Sequence, residues 1–135
     1  MASTTRNVTD ALLTVSTAIP TQNTNANGTA IDLGQTSPWP VMDDVEVLVT
    51  LPAQASMTNG QTVTATLQDS ADNSSFAAIS ALATIVQTGA SSAGPAVTAR
   101  VSLPSSVRRY LRINIASSAT AGVSTAVSAT LSLVF

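Results

Sequence analysis

The sequence predicts an all-β protein, a sandwich or barrel of seven or eight short antiparallel strands. Two observations carry this. Apolar residues alternate with Thr, Ser or charged residues in one segment after another, the two-residue period of a half-buried strand. Clusters of Gly, Pro, Asn and Ser separate those segments at short intervals. Only residues 76–85 (FAAISALATI) have a composition that a helical turn would tolerate.

Taken in order, residues 1–10 are polar, 11–19 (ALLTVSTAI) suit a short extended segment, and 21–29 (TQNTNANGT) have the composition of a loop. Residues 1–29 are therefore expected to form an N-terminal arm, partly extended, ahead of a sandwich domain over 30–135. Arms of this kind order against a partner or against the parent sheet. Ile31-Asp32-Leu33-Gly34 reads as a strand end with a turn. In residues 37–40 (SPWP), two prolines fix the backbone on either side of Trp39.

Val45, Val47, Val49 and Leu51 then alternate with Glu46, Leu48 and Thr50, and Pro52 ends the run. Asn59-Gly60 is a tight-turn pair. Val63, Ala65 and Leu67 alternate with Thr62, Thr64, Thr66 and Gln68, the clearest strand in the chain. Residues 69–75 read as a loop. Thr84, Ile85 and Val86 favour a strand at the end of the ambiguous 76–85 stretch. After the loop 88–95 (TGASSAGP), Val97, Ala99, Val101 and Leu103 alternate with Thr98, Arg100 and Ser102. Leu111, Ile113 and Ile115 alternate with Tyr110, Arg112 and Asn114. Ala121-Gly122 marks a turn before the closing strand of Val127, Ala129, Leu131, Leu133 and Phe135.

Composition narrows the function. The chain has no His, no Cys and no Lys, and only 9% charged residues; Ser and Thr together outnumber them. The groups that shuttle protons near neutrality, attack as thiolates or bind soft metals are missing, so no catalytic residue, cofactor site or metal site is expected. Ser is plentiful but has no His or Lys to activate it, and no phosphate-binding glycine loop occurs. The net charge of −2 does not favour a nucleic-acid partner, and no stretch reaches the length of a membrane span. The polar N-terminus and the short apolar run after it do not read as a secretion signal, so synthesis in a cytoplasm is expected. Aromatics are only 3%, so the core must be aliphatic; alanine buries little, and association would add burial.

Two acidic groups, Asp43, Asp44 and Glu46, and Asp69 with Asp72, carry hard oxygens suited to weak Ca²⁺ binding. Neither has EF-hand spacing, and solvated loop carboxylates explain them as well. Asn7, Asn27 and Asn73 each open an Asn-x-Ser/Thr triplet, which chance explains in a chain this rich in Asn, Ser and Thr. Strand propensity explains the Thr-rich outward faces, as would flat packing against another protein, because hydroxyls cost less to desolvate than charges. Three of the five arginines cluster as Arg108, Arg109 and Arg112 around Tyr110. Strand geometry puts Arg108, Tyr110 and Arg112 on one face and Arg109 with Leu111 on the other. Either the arginines lie over the sheet with their heads in water, or they take a partner subunit's carboxylate in bidentate fashion. Arg108, Arg109, Tyr110, Arg112 and Trp39 are the candidate partner-contact residues.

Three segments carry a family resemblance: residues 29–34 (TAIDLG), 62–72 (TVTATLQDSAD) and 107–113 (VRRYLRI), the last followed by Ala121-Gly122 and an apolar closing strand. They resemble the Bbp16-like phage capsid cement proteins from about Thr29 to Phe135. The resemblance implies a jelly-roll β-sandwich that binds the outside of a phage capsid. It further implies that the protein locks neighbouring major capsid protein subunits and self-associates as a homodimer or trimer. The expected location is the capsid surface of a virion, after synthesis in the host bacterial cytoplasm. A carbohydrate- or receptor-binding module of a virion fibre or adhesin is the alternative, against which the scarcity of aromatics counts.

Overall fold

Alternating apolar residues fold into strands that bury one face, and two such sheets close over one core. The computed structural model describes residues 9–34, 45–91, 93–118 and 127–134. The strands are β1 (Thr9–Ala18), β2 (Asn25–Asn27), β3 (Ile31–Asp32), β4 (Glu46–Leu51) and β5 (Thr62–Ser70). They continue as β6 (Ala77–Ala78), β7 (Ile85–Thr88), β8 (Val97–Ser102), β9 (Tyr110–Ser117) and β10 (Ser128–Val134). All described pairings are antiparallel.

The first sheet has the order β1-β10-β4-β8. In the second, β9 and β5 are the central pair. β2 and β3 lie along one edge of β9, and β6 and β7 along the far edge of β5. Each of those short pairs acts as one interrupted strand, which leaves eight. The chain changes sheet at every connection except the one from β5 to β6 and β7. That winding is a jelly roll, as the sequence resemblance implied.

The core is aliphatic. Val47, Val49 and Leu51 of β4 and Ala129, Leu131 and Leu133 of β10 face Val63, Ala65 and Leu67 of β5 and Leu111, Ile113 and Ile115 of β9. Their neighbours in sequence are only half-buried, so the two-residue period of the sequence is the inside-outside alternation of the sheets. The Asn59-Gly60 turn forms as expected, with Gly60 at φ +84°, a conformation that glycine adopts without steric cost. Residues 76–85 are not helical. They supply β6, a turn at residues 80–82 and the start of β7.

The boundary expected at residue 30 is not a boundary of the fold. Thr9–Ala18 pairs with β10 as an edge strand of the first sheet, and Asn25–Asn27 pairs with β9 in the second. An edge strand with one solvated face needs few large apolar residues. Leu13 and Val15 pack on the core while Ser16 and Ala18 stay exposed. Between the two strands, Gly28 donates its N–H to Ile113 O at 2.8 Å. A Cβ at this position would lie 2.5 Å from Thr17 Oγ1, so only glycine allows this approach.

Candidate functional site

The residues singled out from the sequence fall at one corner of the second sheet, where β9 begins. Leu103 N donates to Val45 O and Val107 N to Pro104 O, so the chain turns tightly before the arginines, with Val107 buried beneath. Because β9 starts only at Tyr110, strand alternation does not extend back through Arg108 and Arg109. The expected grouping of faces is corrected accordingly. Tyr110 and Arg112 share the outer face of β9, while Arg108 and Arg109 precede the strand and turn to separate partners.

Each guanidinium has a same-chain partner. Arg108 encloses Asp69 from β5. Its Nε donates to Oδ1 at 2.8 Å, its Nη2 to Oδ1 at 2.6 Å and to the Asp69 carbonyl at 2.7 Å, and its backbone N–H to Oδ2 at 2.9 Å. The Asp69 side chain is only 9% exposed, so its desolvation is met by four charge-assisted or backbone hydrogen bonds. Arg109 makes a fork with Asp32 of β3, Nε to Oδ1 at 2.8 Å and Nη2 to Oδ2 at 2.9 Å. Its guanidinium also lies 5.2 Å from the Tyr110 ring centroid, within cation–π range. This fork, with the Gly34 N–H that Asp32 Oδ1 accepts at 2.8 Å, holds the Asp32 carboxyl below the usual range; Arg109 is raised in turn. Arg112 donates through Nε to Gln68 Oε1 at 2.8 Å and stacks 3.9 Å over the Phe76 ring.

The loop beside this corner is closed on itself. Asp72 Oδ1 accepts from the backbone N–H groups of Ser75 and Ser74, each at 2.9 Å, and from Ser70 Oγ at 2.8 Å. Those bonds lower its pKa from 3.8 to about 2. Asp69 and Asp72 thus face protein donors, and among the described residues no group of three or more acidic, His or Cys side chains could hold a metal ion. Trp39, Asp43 and Asp44 lie outside the described residues.

Sequence reasoning missed Asp32, Asp69, Gln68 and Phe76 as the arginines' partners. The signal lay in register alone, since Gln68 is directly opposite Arg112, Asp32 opposite Tyr110 and Asp69 opposite Leu111. The three segments that carried the resemblance meet here, Asp32 on Arg109, Asp69 on Arg108 and Gln68 on Arg112.

Beyond this corner the outer face of the second sheet is uncharged. Asn27, Asn114 and Thr66 form one cross-strand row, and Asn25, Ala116, Thr64 and Val86 another. Asn114 Nδ2 donates to Asn27 Oδ1 at 2.7 Å. Val86 is the exposed large hydrophobic side chain of the described residues.

Fold and site together define a jelly-roll domain whose charges are spent on its own architecture and whose broad sheet face is polar without charge. The Bbp16 family model matches residues 13–131, from within β1 to within β10, and the chain belongs to that phage-associated family. No curated protein matches the chain.

Proposed function

We propose that this chain is a capsid cement protein that binds the outside of a phage shell and bridges major capsid protein subunits, acting by adhesion and not by catalysis. The observation that carries the reading is the neutral face of the second sheet. A flat row of Asn, Thr and Ala side chains can be desolvated against a protein at low cost, and the rigid sandwich behind it loses little conformational entropy on docking. Membership of a phage-associated family supports a virion as the place where such a face is used. Many copies on one shell make modest individual interfaces add up. The carbohydrate-binding alternative gains no support from Tyr110 and Phe76, since an arginine lies over each ring.

The test is co-sedimentation of the purified chain with empty shells of the phage that encodes it. Saturable binding at a symmetry-related stoichiometry is expected, together with a rise in the temperature at which the shells rupture. Thr64→Arg and Asn114→Glu, placed on the neutral face, should weaken binding with the fold intact. Absence of binding to those shells would end the proposal.

A further inference from the structure

A jelly roll has four sheet edges, and three of them here are blunted. β1 carries a register shift between Thr9 and Thr14, β2 and β3 are split around Gly28, and β6 and β7 are split by residues 79–84. The fourth edge is β8. It pairs with β4 over six consecutive residues with no bulge, contains no Pro or Lys, and has β4 as its one strand neighbour among the described residues. Natural sheets protect such edges, because a regular row of backbone donors and acceptors is a template for another strand.

The side chains beneath β8 show the same opening. Val47, Val49 and Leu51 of β4 are fully buried, whereas Val97, Ala99, Val101 and Leu103, on the core side of the adjacent strand, are half-exposed. A further strand would cover them.

We infer that the β8 edge pairs with the β8 edge of a second copy of this chain, continuing the first sheet across a two-fold axis at Ala99. The residues themselves select this occupant and register. Val97-Thr98-Ala99-Arg100-Val101 is nearly palindromic about Ala99. Antiparallel pairing about that centre sets Val97 opposite Val101 on the core side and Thr98 opposite Arg100 on the outer side. The smallest side chain sits where each strand meets its own copy. Shifting the centre to Arg100 would place like charges directly opposite each other, which disfavours that register. Each Arg100 keeps Glu46 of its own sheet at 3.3 Å, so the outer side of the seam is charge-balanced. The pairing goes beyond the shell-binding proposal and does not depend on it, because it is read on the isolated chain.

The experiment is sedimentation equilibrium of the purified full chain with three variants at β8. The chain should self-associate to a dimer with concentration. Thr98→Glu sets a carboxylate opposite the partner's arginine twice per dimer and should tighten association about ten-fold; Thr98→Arg should loosen it by about as much. Thr98 is exposed, so neither change should move the thermal midpoint of dilute, monomeric protein. Ala99→Lys, an inward charge at an edge, should abolish the dimer. A chain that stays monomeric up to about 1 mM, or a dimer that ignores all three substitutions, overturns the inference. So does a dimer in which Thr98→Glu and Thr98→Arg act in the same direction.

Discussion

The Arg108–Asp69 pair makes an asymmetric prediction, because its two members differ in their access to water. Asp69 is 9% exposed and Arg108 41%. Deleting the guanidinium with Arg108→Ala leaves a buried carboxylate with only the Arg108 backbone N–H at 2.9 Å. Deleting the charge with Asp69→Asn leaves a guanidinium that can turn outward to solvent, and the amide oxygen can still accept. Breaking a fully buried pair costs about 3–5 kcal/mol, so Arg108→Ala should fall near the lower end, about 3 kcal/mol. Asp69→Asn should cost about 1–2 kcal/mol, since the exposed partner regains hydration. For a domain of this size that is a fall in Tm of about 10 °C against about 5 °C. The assay is urea and thermal unfolding of both variants and of the double variant Arg108→Ala/Asp69→Ala. The double variant should be more stable than Arg108→Ala alone, because no carboxylate is stranded. Equal losses for the two single variants, or a double variant no better than Arg108→Ala, would refute the view that burial of Asp69 sets the energetics of this corner.

Other outcomes follow from single positions. Asp32 and Asp72 have folded pKa values below the ordinary 3.8, so their contribution to stability is present above that value and is lost as pH falls, for Asp72 toward about 2. Acid titration of the thermal midpoint should show that loss below about pH 4, and Asp72→Asn should flatten it. Thr17 is buried and its Oγ1 has no hydrogen-bond partner, so the isosteric Thr17→Val should leave stability unchanged or raise it by about 1 kcal/mol in urea melts. Gly28→Ala drives a methyl group into Thr17 Oγ1 at 2.5 Å and Ile113 Cγ2 at 3.0 Å. A loss of about 1–3 kcal/mol is expected there, visible as a lower urea midpoint.

The sequence was most legible where burial alone decides structure. Residues 45–51, 62–68 and 110–115 alternate because one face of each strand meets the opposite sheet, and a two-residue period needs no knowledge of the partner. Edge strands were harder to read. β1 is half-solvated and rich in Thr, Ser and Ala, so its composition matched an arm, although β10 pairs with it. The arginine cluster was visible as residues but not as a site. Its partners lie 77, 39 and 44 positions away in sequence, and only the β3–β9–β5 register brings them opposite. A bidentate carboxylate was anticipated for these arginines, but two come from within the chain, Asp32 and Asp69.

That internal pairing bears on how such a domain adheres. An arginine reaching for a partner's carboxylate must first shed water and be fixed in one rotamer, and exposed pairs return little for that cost. Here the forks of Arg108 and Arg109 close within the chain and tie β3, β5 and β9 into one corner. Charged groups held in this way stiffen the sheet and leave the Asn- and Thr-lined face next to it free of any like-charge or desolvation penalty toward another protein. On this view a charge-removing substitution at Arg108 should weaken docking only as far as it weakens the fold. A substitution such as Thr64→Arg on the neutral face should weaken docking with the melting temperature unchanged. The arginines would instead be the docking surface if Arg109→Ala released the chain from shells while its melting temperature held.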